Sequence, residues 1–229
     1  MWFFIIYTLI MAGVFCFART RKNHYLTLTF KTLASLGFVS LAIFSPFLNG
    51  SKFTLANAFL ILGAVFGLLG DIVLDIYYSK DNEGFLYMGF ASFALGHFSY
   101  IAAIFNMAKR LNFVIKVSNL IYALALALII SAIIILGCKI LELNFGNLTL
   151  TTDIYTCILC FITIFSWIVT TLNPLFITMA IGFSLFLISD GVLSFIYFGT
   201  KRNSHLFQII NHTLYYVAQL LICVTILRF

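Results

Sequence analysis

The chain has 229 residues, of which 63% are hydrophobic, 17% aromatic and only 9% charged. Soluble domains carry about 25% charged residues, so this composition excludes a water-solvated globular domain. The net charge of +6 is spread over short connecting segments, which marks a membrane surface and excludes an extended nucleic-acid footprint.

Eight apolar runs of about 20 residues, each long enough to cross a hydrocarbon core of roughly 30 Å, predict an all-α, polytopic transmembrane helix bundle with a single domain over 1–229. The first run, 2–18, has no positive region before it and no small-residue cleavage site after it, so it reads as a retained span and not a signal peptide. Arg19, Arg21 and Lys22 follow it as expected surface anchors. The second run, 28–48, starts near Lys31, whose long stem is expected to snorkel to the surface, and closes at Ser45-Pro46. The third, 54–79, carries Asp71 and Asp75, and the fourth, 85–108, carries His97 and Tyr100 before the basic pair Lys109-Arg110. The fifth spans 117–138. The sixth spans 154–172, with Asp153 placed just ahead of it to complement the helix dipole. Asn173-Pro174 turns the chain into the seventh run, 175–199, whose only charged residue is Asp190. The eighth, 206–228, carries His212, Tyr215, Tyr216 and Gln219 on one face. All five cysteines, including Cys157 and Cys160, read as packing residues because apolar surroundings suit a small thiol.

A weak repeat links the halves. Asp71-Ile72-Val73-Leu74 in the third run resembles Asp190-Gly191-Val192-Leu193 in the seventh, and His97-x-x-Tyr100 in the fourth resembles His212-x-x-Tyr215 in the eighth. Four spans per half is an even number, so a 4+4 parallel internal repeat would set Asp71 and Asp190 at similar depth.

Ionisable groups inside a bilayer cost roughly 2.5–3.5 kcal/mol each even on the lenient insertion scale, so they are expected to face the bundle and to have a task. A core histidine or an interfacial tyrosine has an ordinary structural reading. A buried carboxylate does not, and with no intramembrane arginine available as a partner, Asp71 and Asp190 stand out as the candidate pair. Gly63, Gly67, Asp71 and Asp75 are spaced by four, a stripe that lets another helix approach where the carboxylates begin.

The whole arrangement resembles the YhhN-like family of integral membrane lysoplasmalogenases. The resemblance rests on Gly70-Asp71 with Leu74, on Gly89 and Phe93 through Gly96-His97 to Tyr100, on Ser189-Asp190 with Leu193, and on Tyr216 through Gln219. Lys31 resembles the lysine that opens the family's second span, although Thr32 stands where a proline is expected beside it. Asp75 stands where an apolar residue is usual. The resemblance implies hydrolysis of the vinyl ether bond of a lysophospholipid substrate, a lysoplasmalogen, to a fatty aldehyde and glycerophosphocholine or glycerophosphoethanolamine. Such a bond yields to protonation of its alkene carbon and not to bases, which calls for one protonated and one ionised carboxyl group, as in paired-carboxylate glycoside hydrolysis. Asp71 and Asp190 are expected to be that pair, with Lys31, His97, Tyr100, Tyr216, Gln219, Asp75 and His212 binding or orienting. The reaction requires no metal or cofactor.

The competing expectation is a proton-coupled transporter or channel, since intramembrane Asp and His residues also serve proton relays. For a bacterial chain, the cytoplasmic membrane would be the location.

Overall fold

The computed structural model describes residues 1–21, 23–48, 50, 52–202 and 204–228; Lys22, expected to be a surface anchor, lies outside them. Among the described residues there are eight long helices and no strand. They are α1 (Trp2–Thr20), α2 (His24–Leu48), α3 (Leu55–Lys80), α4 (Glu83–Arg110), α5 (Val117–Ile140), α6 (Thr149–Leu172), α7 (Ile177–Tyr197) and α8 (His205–Val224). All eight have the length and hydropathy to cross a membrane, which makes the chain a multi-pass membrane protein.

Three boundaries differ from the hydropathy reading in ways that matter. Helix α1 continues through Arg19, α2 begins a full turn before 28, and α6 begins at Thr149, after a short 3-10 turn at Gly146–Leu148. Hydropathy stops where charge begins, whereas a helix stops where its hydrogen bonding or capping does. Asp153 therefore sits in the second turn of α6 and not ahead of it. Pro46 likewise lies inside α2, two residues before its end. At the Asn173-Pro174 turn the Asn173 side chain accepts from the Leu175 amide at 3.0 Å, and α7 folds back along α6.

Each helix packs against the next except at α4–α5, and α8 returns to lie against α1, α2 and α7. Besides these neighbours in sequence, α2 packs on α8 and α4 on α6, two contacts that exchange of the halves would interchange; the α1–α8 contact has no comparable α4–α5 partner. Asp71 lies nine residues before the end of α3 and Asp190 seven before the end of α7, and both ends are on the same side of the bundle. At 1.5 Å per residue the two carboxylates are about 14 and 11 Å below that surface.

The α3–α4 pair is the closest helix packing in the bundle, and the α3 glycines are the reason. A methyl group at Gly63 would lie 2.5 Å from the Tyr100 ring, one at Gly70 2.6 Å from the Phe93 ring, and one at Gly67 2.9 Å from the Gln219 amide nitrogen. The stripe thus admits two large α4 side chains and one from α8 directly onto the α3 backbone. At the other extreme, α5 buries only Ala123, Ala127 and Ser131, one small residue per turn facing α6, and exposes most of its apolar surface.

Gly63→Ala is expected to cost about 1–3 kcal/mol by overpacking, because Tyr100 is fully buried and has no free space to retreat into. A lower melting temperature in detergent would show it, and the same change at Gly13, where nothing lies within 4 Å, should leave the melting temperature in place.

Candidate active site

Asp71 is drawn into the bundle by the close approach of α8 and α2 to the glycine stripe. Its Oδ2 accepts hydrogen bonds from the Ser35 hydroxyl at 2.6 Å and the Tyr215 hydroxyl at 2.7 Å, and its Oδ1 lies 3.4 Å from the Lys31 ammonium. Lys31 is 2% exposed and does not snorkel. Because α2 begins at His24, Lys31 is the eighth residue of the helix, too deep for its stem to reach the surface from a face turned inward. The Tyr215 hydroxyl in turn accepts from Gln219 Nε2 at 3.3 Å, and Gln219 Oε1 accepts from the Tyr100 hydroxyl at 3.0 Å. A chain of polar groups therefore runs from Asp71 away from the near surface, along the face where α3, α4 and α8 meet.

Asp75, one turn nearer the surface, pairs with Arg19 of α1 at 2.9 Å. Arg19 is 7% exposed, its guanidinium 3.9 Å from the centre of the Tyr78 ring. It is a buried partner and not the surface anchor expected, and it supplies the intramembrane arginine that hydropathy had left outside the first span. Among the described residues, Arg19 Nε and Nη1 have no hydrogen-bond partner.

Asp190 is held differently. Its Oδ2 accepts from the Tyr155 hydroxyl of α6 at 2.6 Å, and among the described residues it has no ion-pair partner. His97 Nε2 is 3.4 Å from the same tyrosine oxygen, while its Nδ1 is buried without a partner. Beside Asp190, the Ser189 carbonyl and hydroxyl both accept from the Asn211 amide of α8, at 2.8 and 3.0 Å, which ties α7 to α8 at this level.

The two carboxylates line one small cavity of about 20 Å³, together with Lys31, Tyr155, Ser189, Asn211, His212 and Tyr215. That volume admits one water molecule, and the polar lining offers it several partners. Phe90, Tyr155, Asp190, Leu193 and Tyr197 also belong to a second, larger space of about 470 Å³, an apolar groove on α6 between α5 and α7. Asp190 and Tyr155 thus stand between a long apolar groove and a water-sized cavity that holds both carboxylates.

Of the residues singled out from sequence, Asp71, Asp190, Lys31 and His212 meet at the small cavity. Tyr100 and Gln219 support Asp71 through Tyr215, and His97 abuts Tyr155. Tyr216 lies behind Lys31, its hydroxyl donating to the Lys31 carbonyl at 3.3 Å. Asp75 is outside the cavity, engaged with Arg19. Sequence reasoning missed Tyr155, Ser35 and Asn211, and left Tyr215 out of the site. Tyr155 carried no signal, being one tyrosine among 11. Arg19 had one: it is four residues after Phe15, on the same buried helix face, and the second carboxylate of α3 needed a cation. Among the described residues no group of three or more His, Cys, Asp or Glu side chains is placed to hold a metal ion.

Eight membrane-spanning helices around a buried carboxylate cavity that adjoins an apolar groove define a polytopic membrane protein with a site suited to an amphipathic ligand. The chain belongs to the YhhN family, whose model matches residues 26–226. No curated protein and no solved structure matches it.

Arg19→Leu leaves the Asp75 charge buried and unpaired, and is expected to destabilise the protein by about 3–5 kcal/mol. The double change Arg19→Leu with Asp75→Leu removes both charges and should restore most of that loss. Melting temperatures of the two variants in detergent test this, and equal losses would show that the ion pair is not what links α1 to α3.

Proposed function

We propose that the protein is a lysoplasmalogenase, hydrolysing the vinyl ether of a lysophospholipid at Asp71 and Asp190. The observation that carries the reading is that two carboxyl groups in unlike surroundings share one water-sized cavity at the inner edge of an apolar groove. Family membership agrees with it.

Their unlike surroundings support a division of roles. Asp71 faces an ammonium and two hydroxyl donors, which favours the ionised form. Asp190 faces a single phenol and an apolar groove, which favours a neutral acid; Tyr155 occupies Oδ2 and leaves Oδ1 free to carry the proton. Asp190 delivers that proton to the alkene carbon on the chain side of the vinyl ether, giving an oxocarbenium ion whose charge the Asp71 carboxylate stabilises across the cavity. A water in the cavity attacks the cationic carbon and passes a proton to Asp71. The hemiacetal then collapses: Asp190 takes the proton of its hydroxyl, the carbon–oxygen bond to glycerol breaks, and Asp71 returns its proton to the leaving glycerol oxygen. One water is consumed, one fatty aldehyde and one glycerophospho compound leave, and both carboxyl groups regain their starting states. Lys31 acts by holding Asp71 ionised, and Tyr155 by orienting Asp190.

Asp190→Asn is expected to lower aldehyde release from a lysoplasmalogen in detergent by at least about a hundredfold, the usual contribution of a general acid. Asp71→Asn should do the same, made both alone and with Lys31→Met because asparagine alone leaves the ammonium without its counter-charge. Tyr155→Phe should slow turnover about tenfold, retaining Asp190 but losing its orientation. Wild-type rates in the aspartate variants would overturn the site. If the unmodified protein releases no aldehyde from any vinyl ether lipid, yet takes up solute in proton-loaded liposomes, the transporter reading replaces this one.

A further inference from the structure

The groove between α5 and α7 is ordered along the membrane normal. Helices α5 and α7 both pack on α6 and are not packed on each other, so a trough remains with α6 as its floor. At the level of Ile134, Leu159 and Leu187 the trough is lined by apolar side chains. One turn nearer the surface are Tyr155 and Asp190, and above them come Lys139, Thr149, Asp153 and Ser194. The end is roofed where the Asn144 amide donates to the Phe198 carbonyl at 2.9 Å and the Phe145 and Phe198 rings meet at 4.5 Å.

Lys139 and Asp153 carry opposite charges, line the same end of the groove, and do not form an ion pair with each other. Helix dipoles do not explain Asp153, which is five residues into α6 and faces the groove. Asp153 is half-buried and Lys139 exposed, so the same end of the trough presents both an anion and a cation to an entering ligand.

We propose that Lys139 and Asp153 form a head-group subsite for a zwitterionic lysophospholipid, the phosphate meeting Lys139 and the ammonium meeting Asp153. This rests on the lysoplasmalogenase reading for its substrate and adds to it how the substrate enters and what it is recognised by. With the head group at this level, the alkenyl chain runs down the trough past Leu159 and Ile134. The glycerol lies between, so the vinyl ether, which joins glycerol to chain, falls at the depth of Asp190. From Asp153 to Tyr155 is two residues of α6, and from Ser194 to Asp190 is four of α7, about 3 and 6 Å of helix rise. That matches the short span of glycerol between a phosphate and an ether oxygen. The lipid enters sideways from the bilayer between α5 and α7, and the apolar outward face of α5 meets no other helix on the way.

The test compares three vinyl ether substrates with the same chain: one with a phosphoethanolamine head group, one with a bare phosphate, and 1-alkenylglycerol with neither. Asp153→Asn should reduce the kcat/KM preference for phosphoethanolamine over bare phosphate roughly tenfold, through KM. Lys139→Gln should reduce the preference for bare phosphate over alkenylglycerol by a similar factor. Equal effects of either variant on all three substrates, or unchanged preferences, would overturn the subsite. Binding of a non-hydrolysable 1-alkyl ether lysophosphoethanolamine, followed by native mass spectrometry, separates this from the catalytic reading. Weakened binding in Asp153→Asn supports the subsite even where the protein hydrolyses no vinyl ether. Unaltered binding in both variants overturns the subsite even where hydrolysis proceeds.

Discussion

Charge inside the bilayer is the constraint on which the rest of the arrangement depends. Two carboxylates one turn apart on α3 would each be costly in hydrocarbon, and each is matched by a cation from a different helix: Asp71 by Lys31 of α2, Asp75 by Arg19 of α1. The pairs fix the rotation of α1 and α2 about their axes, since no other setting satisfies both aspartates. They also place an ammonium permanently beside Asp71. Glycines on the same helix complete the effect, because only a bare backbone lets the Tyr100 and Phe93 rings and the Gln219 amide come close enough to enclose the carboxylate.

Asp190 is the exception to this pairing. It occupies the position in α7 that Asp71 occupies in α3, yet it faces a phenol where Asp71 faces an ammonium. If the two halves descend from one four-helix unit, the cation was kept in one copy only. Two carboxyl groups with such unlike partners line one small cavity, and on the proposed reading they serve as acid and base. The same asymmetry separates the two spaces they border, since Asp190 faces the apolar groove and Asp71 does not.

The groove exists because α5 is loosely attached. Its buried stripe of Ala123, Ala127 and Ser131 brings it close to α6, but among the described residues it does not pack extensively on α7. A bulkier stripe, or one wrapped further round the helix, would have drawn α5 across and closed the trough. The most hydrophobic helix of the eight is thus the one that leaves room for an apolar guest.

Eight spans, their order and the turning of Asp71 and Asp190 towards the interior of the bundle were legible in the sequence, because hydropathy reports the solvent directly and a lone carboxylate in a long apolar run has few explanations. The glycine stripe was legible for the same kind of reason, a spacing of four being the helix's own period. What only the tertiary structure decided was which residues meet. Lys31 and Arg19 look like surface anchors when a helix is considered alone, and become buried partners once α3 supplies carboxylates at their depth. Tyr155 is unremarkable until α6 carries it to Asp190, and Asp153 resembles a dipole charge until the helix is found to begin a turn earlier. Pairing across helices depends on rotation and depth, which periodicity constrains within each helix and leaves free between them.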